Sequence, residues 1–155
     1  KDKYKILILE DCAHSLGAKD GDIKAGSCVN SDCSIFSFHP VKHLTTGEGG
    51  AITTNSKKIY DKLLSLRNHG MHKDKSMDPW YYEMRDLGYN YRITDLQCAL
   101  GISQLNKIDK FIEKRLQIAK KYDEAFLNTI VHPLYEFDEK SSYHLYVVKI
   151  NFEKS

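Results

Sequence analysis

The chain is expected to fold as an α/β protein, on three observations. Short apolar or β-branched runs at residues 6–9, 34–38 and 51–53 are bounded by Gly, Asp and Ser, as strands buried in a sheet are. A helical stripe follows them, formed by Leu96, Leu100, Leu105, Ile108, Ile112, Leu116, Ile118, Tyr122 and Phe126. Reactive side chains gather just past the first two runs: Glu10 and Asp11 after one, Lys42 and a glycine-rich turn after the other. Ligands of open α/β sheets sit at such strand ends.

In chain order, residues 6–9 lead into the two carboxylates, and the stretch from Asp11 to Ala18 turns the backbone. Residues 34–38 form a second strand and 51–53 a third. Ser56 can cap a helix through residue 66, with Ile59, Leu63 and Leu66 at helical spacing. Residues 67–86 are polar and aromatic without a clear period, and are expected to form a long loop that is functional or an interface. Thr94 and Gln97 make a capping-box pattern. The stripe beyond them is too long for one ordinary helix, so it predicts two helices or one bent helix, weakest at Gly101 and 106–109. His132-Pro133 ends helical structure, and residues 143–150 alternate like a strand. Residues 1–126 therefore read as one domain with its connecting helix, and 127–155 as the beginning of a smaller α+β domain.

Composition excludes several classes. A 155-residue chain with 41% apolar residues, 28% charged residues and a net charge of +2 has ordinary globular composition. Its lysines are scattered along helical segments instead of forming a block, which predicts solvated faces and no nucleic-acid partner. Neither a secretory leader nor a bilayer-length apolar run is evident, so no membrane association and a cytoplasmic location are expected. Cys12, Cys28, Cys33 and Cys98 form no CxxC pair, which favours free thiols and no metal site.

A lysine becomes useful to chemistry when a pocket lowers its pKa or when it is held as an imine with a carbonyl cofactor. Lys42 sits where a protein can hold it so, although an exposed loop lysine is the commoner fate. Asp11 is the matching carboxylate, unless it serves only as a helix cap. Pyridoxal 5'-phosphate uses such a pairing: a lysine on its aldehyde, a carboxylate on its ring nitrogen and donors around its phosphate.

The segments 10–18 (Glu-Asp-Cys-Ala-His-Ser-Leu-Gly-Ala), 37–51 (Ser-Phe-His-Pro-Val-Lys-His-Leu-Thr-Thr-Gly-Glu-Gly-Gly-Ala) and 87–95 (Leu-Gly-Tyr-Asn-Tyr-Arg-Ile-Thr-Asp) resemble, in residues, order and spacing, successive signatures of the DegT/DnrJ/EryC1/StrS sugar aminotransferases. The resemblance implies the three-layer α/β/α large domain of fold type I pyridoxal-phosphate enzymes, followed by the start of a small C-terminal domain. It implies that Lys42 carries the cofactor and transfers protons, and that Asp11 faces the pyridinium nitrogen. His14 would reach the phenolic oxygen, or be a satisfied core histidine. Ser37 would meet the phosphate, or be a strand-end serine. Asn90 would reach the phosphate of a partner subunit's cofactor, implying a homodimer with active sites at the interface, or be a loop element. His144 would approach the sugar, or be a strand histidine.

The implied substrates are a nucleotide-linked keto sugar and an amino-acid donor, glutamate by resemblance. Residues 39–50 and 68–71 look closest to C-4 transaminases acting on UDP-linked 4-keto-6-deoxy-N-acetylhexosamines in pseudaminic acid synthesis. A family sugar dehydratase, with histidine replacing the lysine, and a non-catalytic relative are the alternatives. Members of the family are longer, so the chain is expected to be a middle fragment, inactive by itself.

Overall fold

The computed structural model describes residues 3–74, 76–150 and 152. Its elements are β1 (Leu9–Asp11), β2 (Lys19–Asp20), β3 (Ile23–Lys24), β4 (Cys33–Ser37), β5 (Gly50–Thr53), α1 (Lys57–Arg67), β6 (Met71–His72), β7 (Glu83–Met84), α2 (Asp95–Leu105), α3 (Ile108–Phe126), β8 (Val131–Pro133) and β9 (Val148–Ile150). The α/β expectation is met. A mixed sheet in the order β1-β4-β5 lies at its centre, and three two-stranded ribbons pair β2 with β3, β6 with β7, and β8 with β9.

Register decides what this sheet presents on each face. β1 runs parallel to β4 with Glu10 opposite Ser34 and Asp11 opposite Ile35, while β4 runs antiparallel to β5 with Ser37 opposite Gly50. Successive strand side chains alternate in direction, so Glu10, Ser34 and Phe36 share one face, and Leu9, Asp11, Ile35 and Ser37 share the other. The first face is filled. Ser34 is fully buried, and the Phe36 ring occupies the space a Cβ on Gly26 would need, at 2.1 Å. Leu9 and Ile52, on the second face, are exposed.

The first strand therefore lies later than the 6–9 expected. Ile8 donates its N–H to the Asp32 carboxylate at 2.8 Å and accepts from the Asp32 N–H at 2.8 Å. The β4 ladder begins only at Cys33, leaving Ile6 and Leu7 outside it and exposed.

Ser56 caps α1, accepting from the Ile59 N–H, and the helix runs one residue past its expected end, to Arg67. The stretch expected to be a long loop instead carries β6 and β7, with Met71 opposite Met84. The chain then returns onto the end of α1: the Tyr89 N–H donates to the Leu66 carbonyl at 2.9 Å, and the Tyr91 N–H to the Arg67 carbonyl at 3.0 Å. Gly88 permits this approach, since a Cβ there would lie 2.3 Å from the Gly70 nitrogen and 2.6 Å from the Leu66 oxygen.

Thr94 and Gln97 form the expected reciprocal capping box. The long stripe resolves into two helices, α2 and α3, separated at Asn106-Lys107. On α3, Arg115, Ala119, Asp123 and Phe126 recur at helical spacing and form one side of the helix. Arg115 Nη1 donates to the Tyr143 and His144 carbonyls at 3.1 and 3.2 Å, and the Tyr146 hydroxyl bonds the Asp123 carboxylate. These bonds hold 143–146 against the helix, so only Val148–Ile150 of the expected 143–150 strand joins a ladder, against β8. The four cysteines carry free thiols. Among the described residues, no helix is long and apolar enough to cross a membrane.

Gly88→Ala should destabilise the protein by on the order of 3 kcal/mol, because its new carbon meets backbone that cannot yield. Gly47, at φ +81° with open space around it, should cost only about 1 kcal/mol as Ala. Urea denaturation of both variants compares them, and equal losses would refute the close approach at Gly88.

Candidate active site

β1 and β4 end at the same edge of the sheet because they are parallel. Asp11 ends β1, and Ser37, two residues beyond its register partner Ile35, ends β4 on the same face. Asp11 stays exposed and turns the chain by accepting the Ala13 N–H on Oδ1 at 3.0 Å. That is an Asx turn, not a helix cap, and it spends one carboxylate oxygen while orienting the other. Glu10 points to the opposite face. Its Oε2 accepts from Ser34 Oγ at 2.6 Å and Ser31 Oγ at 3.4 Å, so it braces β1 against β4.

The lysine loop closes on the Phe38 carbonyl, which accepts from Thr45 Oγ1 and the Thr46 N–H, both at 3.1 Å. The Phe38 N–H donates to the Gly49 carbonyl at 2.9 Å. Gly49 adopts φ +145°, a conformation glycine alone takes easily. Gln97 Nε2 donates to the Glu48 carbonyl at 2.9 Å and ties the loop to α2. Within this ring the Lys42 N–H donates to the His39 carbonyl at 3.0 Å, and Lys42 is half-buried, whereas His43, Leu44 and Thr46 are buried. Ser37 Oγ accepts a long bond from the His39 N–H, at 3.4 Å, and keeps its own proton to donate.

Three histidine rings stand in a row beside the lysine. His14 lies 4.2 Å from His144, and His144 lies 5.4 Å from His43, between ring centroids. Burial pushes the His144 pKa down, and the neighbouring His14 and Lys42 charges push it the same way. Burial likewise pushes His43 down, to about 4, against the opposing bond to the Ser142 carbonyl. Among the described residues, the buried Nδ1 atoms of His43 and His144 have no hydrogen-bond partner. A cavity of about 520 Å³ is bordered by His14, His144 and Tyr143.

The fold thus joins Asp11 and Ser37 through one sheet edge, and His14 and His144 through ring contact. Asn90 is not brought to them: among the described residues its Oδ1 accepts the Arg92 N–H at 3.4 Å, and its backbone bridges to Asn68. Sequence reasoning missed Ser142, whose carbonyl meets the His43 ring 99 residues away, and Arg115, whose guanidinium donates to the Tyr143 carbonyl 28 residues away; neither pairing carries a local signal. His43 was legible only as the neighbour of Lys42.

A family model described as the DegT/DnrJ/EryC1/StrS aminotransferase family matches residues 1–155. A UDP-4-amino-4,6-dideoxy-N-acetyl-beta-L-altrosamine transaminase from Campylobacter jejuni is 45% identical over 151 residues, which is 94% of this chain and 38% of that protein. Among solved structures, Helicobacter pylori PseC, an aminotransferase involved in the biosynthesis of pseudoaminic acid, superimposes with TM-score 0.88 at 36% identity, covering 98% of this chain and 40% of that one. The PLP form of Spr1654 from Streptococcus pneumoniae gives 0.82 at 32% identity, covering 95% and 38%. The chain spans about two fifths of the length of the relatives it matches. With a model matching from end to end and a superposition this close, the chain belongs to the DegT/DnrJ/EryC1/StrS aminotransferase family.

Proposed function

We propose that the protein containing this chain is a pyridoxal-phosphate-dependent aminotransferase that moves an amino group from an amino acid, glutamate in this reading, to a nucleotide-linked 4-keto-6-deoxy sugar. One observation carries it: the exposed Asp11 carboxylate and the Ser37 hydroxyl share one face at one sheet edge, with Lys42 five residues beyond Ser37 in a closed loop. The names of its relatives support the sugar and the transamination.

The residues present fit pyridoxal phosphate on their own geometry. The Asp11 oxygen left over from the Asx turn can accept a ring N–H, Ser37 retains a proton for a phosphate oxygen, and His14 stands within ring contact of His144. When bound, the cofactor supplies an aldehyde to hold the amino group in transit and a ring to delocalise the charge left by deprotonation. Asp11 would hold the proton on the ring nitrogen. Lys42 would hold the cofactor at its aldehyde carbon, and its Nζ would carry the proton to and from the substrate α-carbon. His14 would donate to the phenolic oxygen, and His144 would face the sugar.

In this reading residues 1–126 belong to the cofactor-binding domain and 127–155 begin the smaller one. The protein is a cytoplasmic homodimer, and Asn90, which bonds to Arg92 and bridges to Asn68, serves the partner's site. A dehydratase with histidine in place of the lysine is disfavoured, because His43 is buried against the Ser142 carbonyl and Lys42 is the half-buried amine.

Borohydride reduction of the full-length protein with pyridoxal phosphate, followed by peptide mapping, should place one adduct on Lys42. Labels on scattered surface lysines, or none, would overturn the proposal. Asp11→Asn should retain that adduct yet lower kcat by about 10²-fold or more, since a neutral amide does not hold the ring proton. Steady-state kinetics with an amino donor would measure this, and an unchanged kcat would remove Asp11 from the ring nitrogen.

A further inference from the structure

We propose that His43 is a positioning residue for Lys42: its imidazole, hydrogen-bonded through Nε2 to the Ser142 carbonyl, fixes the lysine loop against the segment that carries His144. The bond is 3.0 Å long and joins positions 99 residues apart. His43 is 4% exposed and Ser142 2% exposed, so water does not compete for it.

A carbonyl oxygen only accepts, so Nε2 must carry a proton, and in the neutral ring Nδ1 is then bare. Nδ1 is indeed buried without a partner among the described residues. Three cationic or titratable side chains face the ring, Arg115 from α3, His144 from the C-terminal segment and His14 from the loop after β1, and all oppose a positive charge on it. A neutral imidazole locked in one tautomer, with its proton already given to the backbone, has none to lend to a substrate. Its contribution is therefore geometric.

The geometry it sets is specific. Ser142 Oγ donates to the His14 carbonyl at 3.4 Å, 128 residues away, and Arg115 holds the next two carbonyls. The chain immediately after Lys42 is thus tied to His14 and His144 together. Upstream, Lys42 is held by its own turn to His39. Losing the His43 bond frees one side of the lysine, and a misplacement of about 1 Å at a reacting group costs about 10²-fold in rate.

Resting on the reading of Lys42 as the cofactor lysine, the test uses the full-length protein with pyridoxal phosphate. His43→Gln keeps an N–H donor near the Nε2 position, and His43→Leu keeps bulk without a donor. His43→Leu should slow capture of pyridoxal phosphate at Lys42, followed by borohydride mapping, and lower kcat, each by about 10- to 100-fold. KM for the amino donor should stay within about two-fold, and His43→Gln should recover most of both losses. Equal behaviour of the two variants, whether both intact or both impaired, overturns the positioning role. A wild-type protein unlabelled at Lys42 overturns the reading of the lysine and this role with it.

Nitrogen NMR of histidine-labelled wild type supplies a check that does not depend on a variant folding. His43 should be the neutral Nε2–H tautomer at pH 6, and a charged or Nδ1–H ring there would overturn the bond. Because its folded pKa lies below the unfolded value near 6.5, stability is intact above that value and is lost as pH falls toward 4. The wild-type curve should fall more steeply than that of His43→Gln by about 1.4 kcal/mol per pH unit inside that window, and parallel curves would argue against the burial.

Discussion

The parallel pairing of β1 with β4 is the constraint on which the site depends. Glu10 and Asp11 are adjacent carboxylates of nearly equal chemistry, and only the pleat separates their fates. In the observed register Glu10 meets Ser34 beneath the sheet, and Asp11 emerges beside Ser37. A slip of one residue would exchange them, placing a solvent-seeking carboxylate among buried hydroxyls and the brace in the open. The short Ser34–Glu10 bond and the Asp32 clamp on Ile8 are the local features that forbid the slip.

A second layer of order is non-local. α3 serves as a rail: one side of it holds the carbonyls of Tyr143 and His144 and the hydroxyl of Tyr146, and Ile112 fills the space where Gly17 comes close. Tyr146, half-buried and hydrogen-bonded to Asp123, has its pKa pushed up to about 12 by partial burial and by that carboxylate. Its hydroxyl therefore stays a donor across the whole working range. Through this rail the C-terminal segment becomes a wall of the site.

Much of this was legible beforehand, and the reasons differ by element. The capping box at Thr94 and the serine cap at Ser56 are local hydrogen-bond chemistry, so they read directly from residue types. Lys42 stood out by its place between a strand and a glycine-rich turn, although an exposed loop lysine is the commoner fate. The first strand was misplaced because apolar content marks residues that can form strands, whereas the ladder starts where a partner's backbone becomes available, at Cys33. The 67–86 stretch hid two ladder pairs too short to leave a period. Ser142 meets His43 through its carbonyl, and Arg115 donates to the carbonyls of Tyr143 and His144; those acceptors are backbone atoms that every residue shares, so the sequence does not mark the pairings.

The ring that the lysine loop forms around the Phe38 carbonyl bears on time as well as on shape. A loop closed on itself by Thr45, Thr46 and Gly49 has given up its backbone freedom during folding, so a ligand arriving later has little left to order. What remains free is the side chain of Lys42, whose torsions relax within picoseconds to nanoseconds. Any motion of the Lys42 amine is then a rotamer change on a fixed mount, far faster than the microsecond-to-millisecond rearrangement a moving loop would impose.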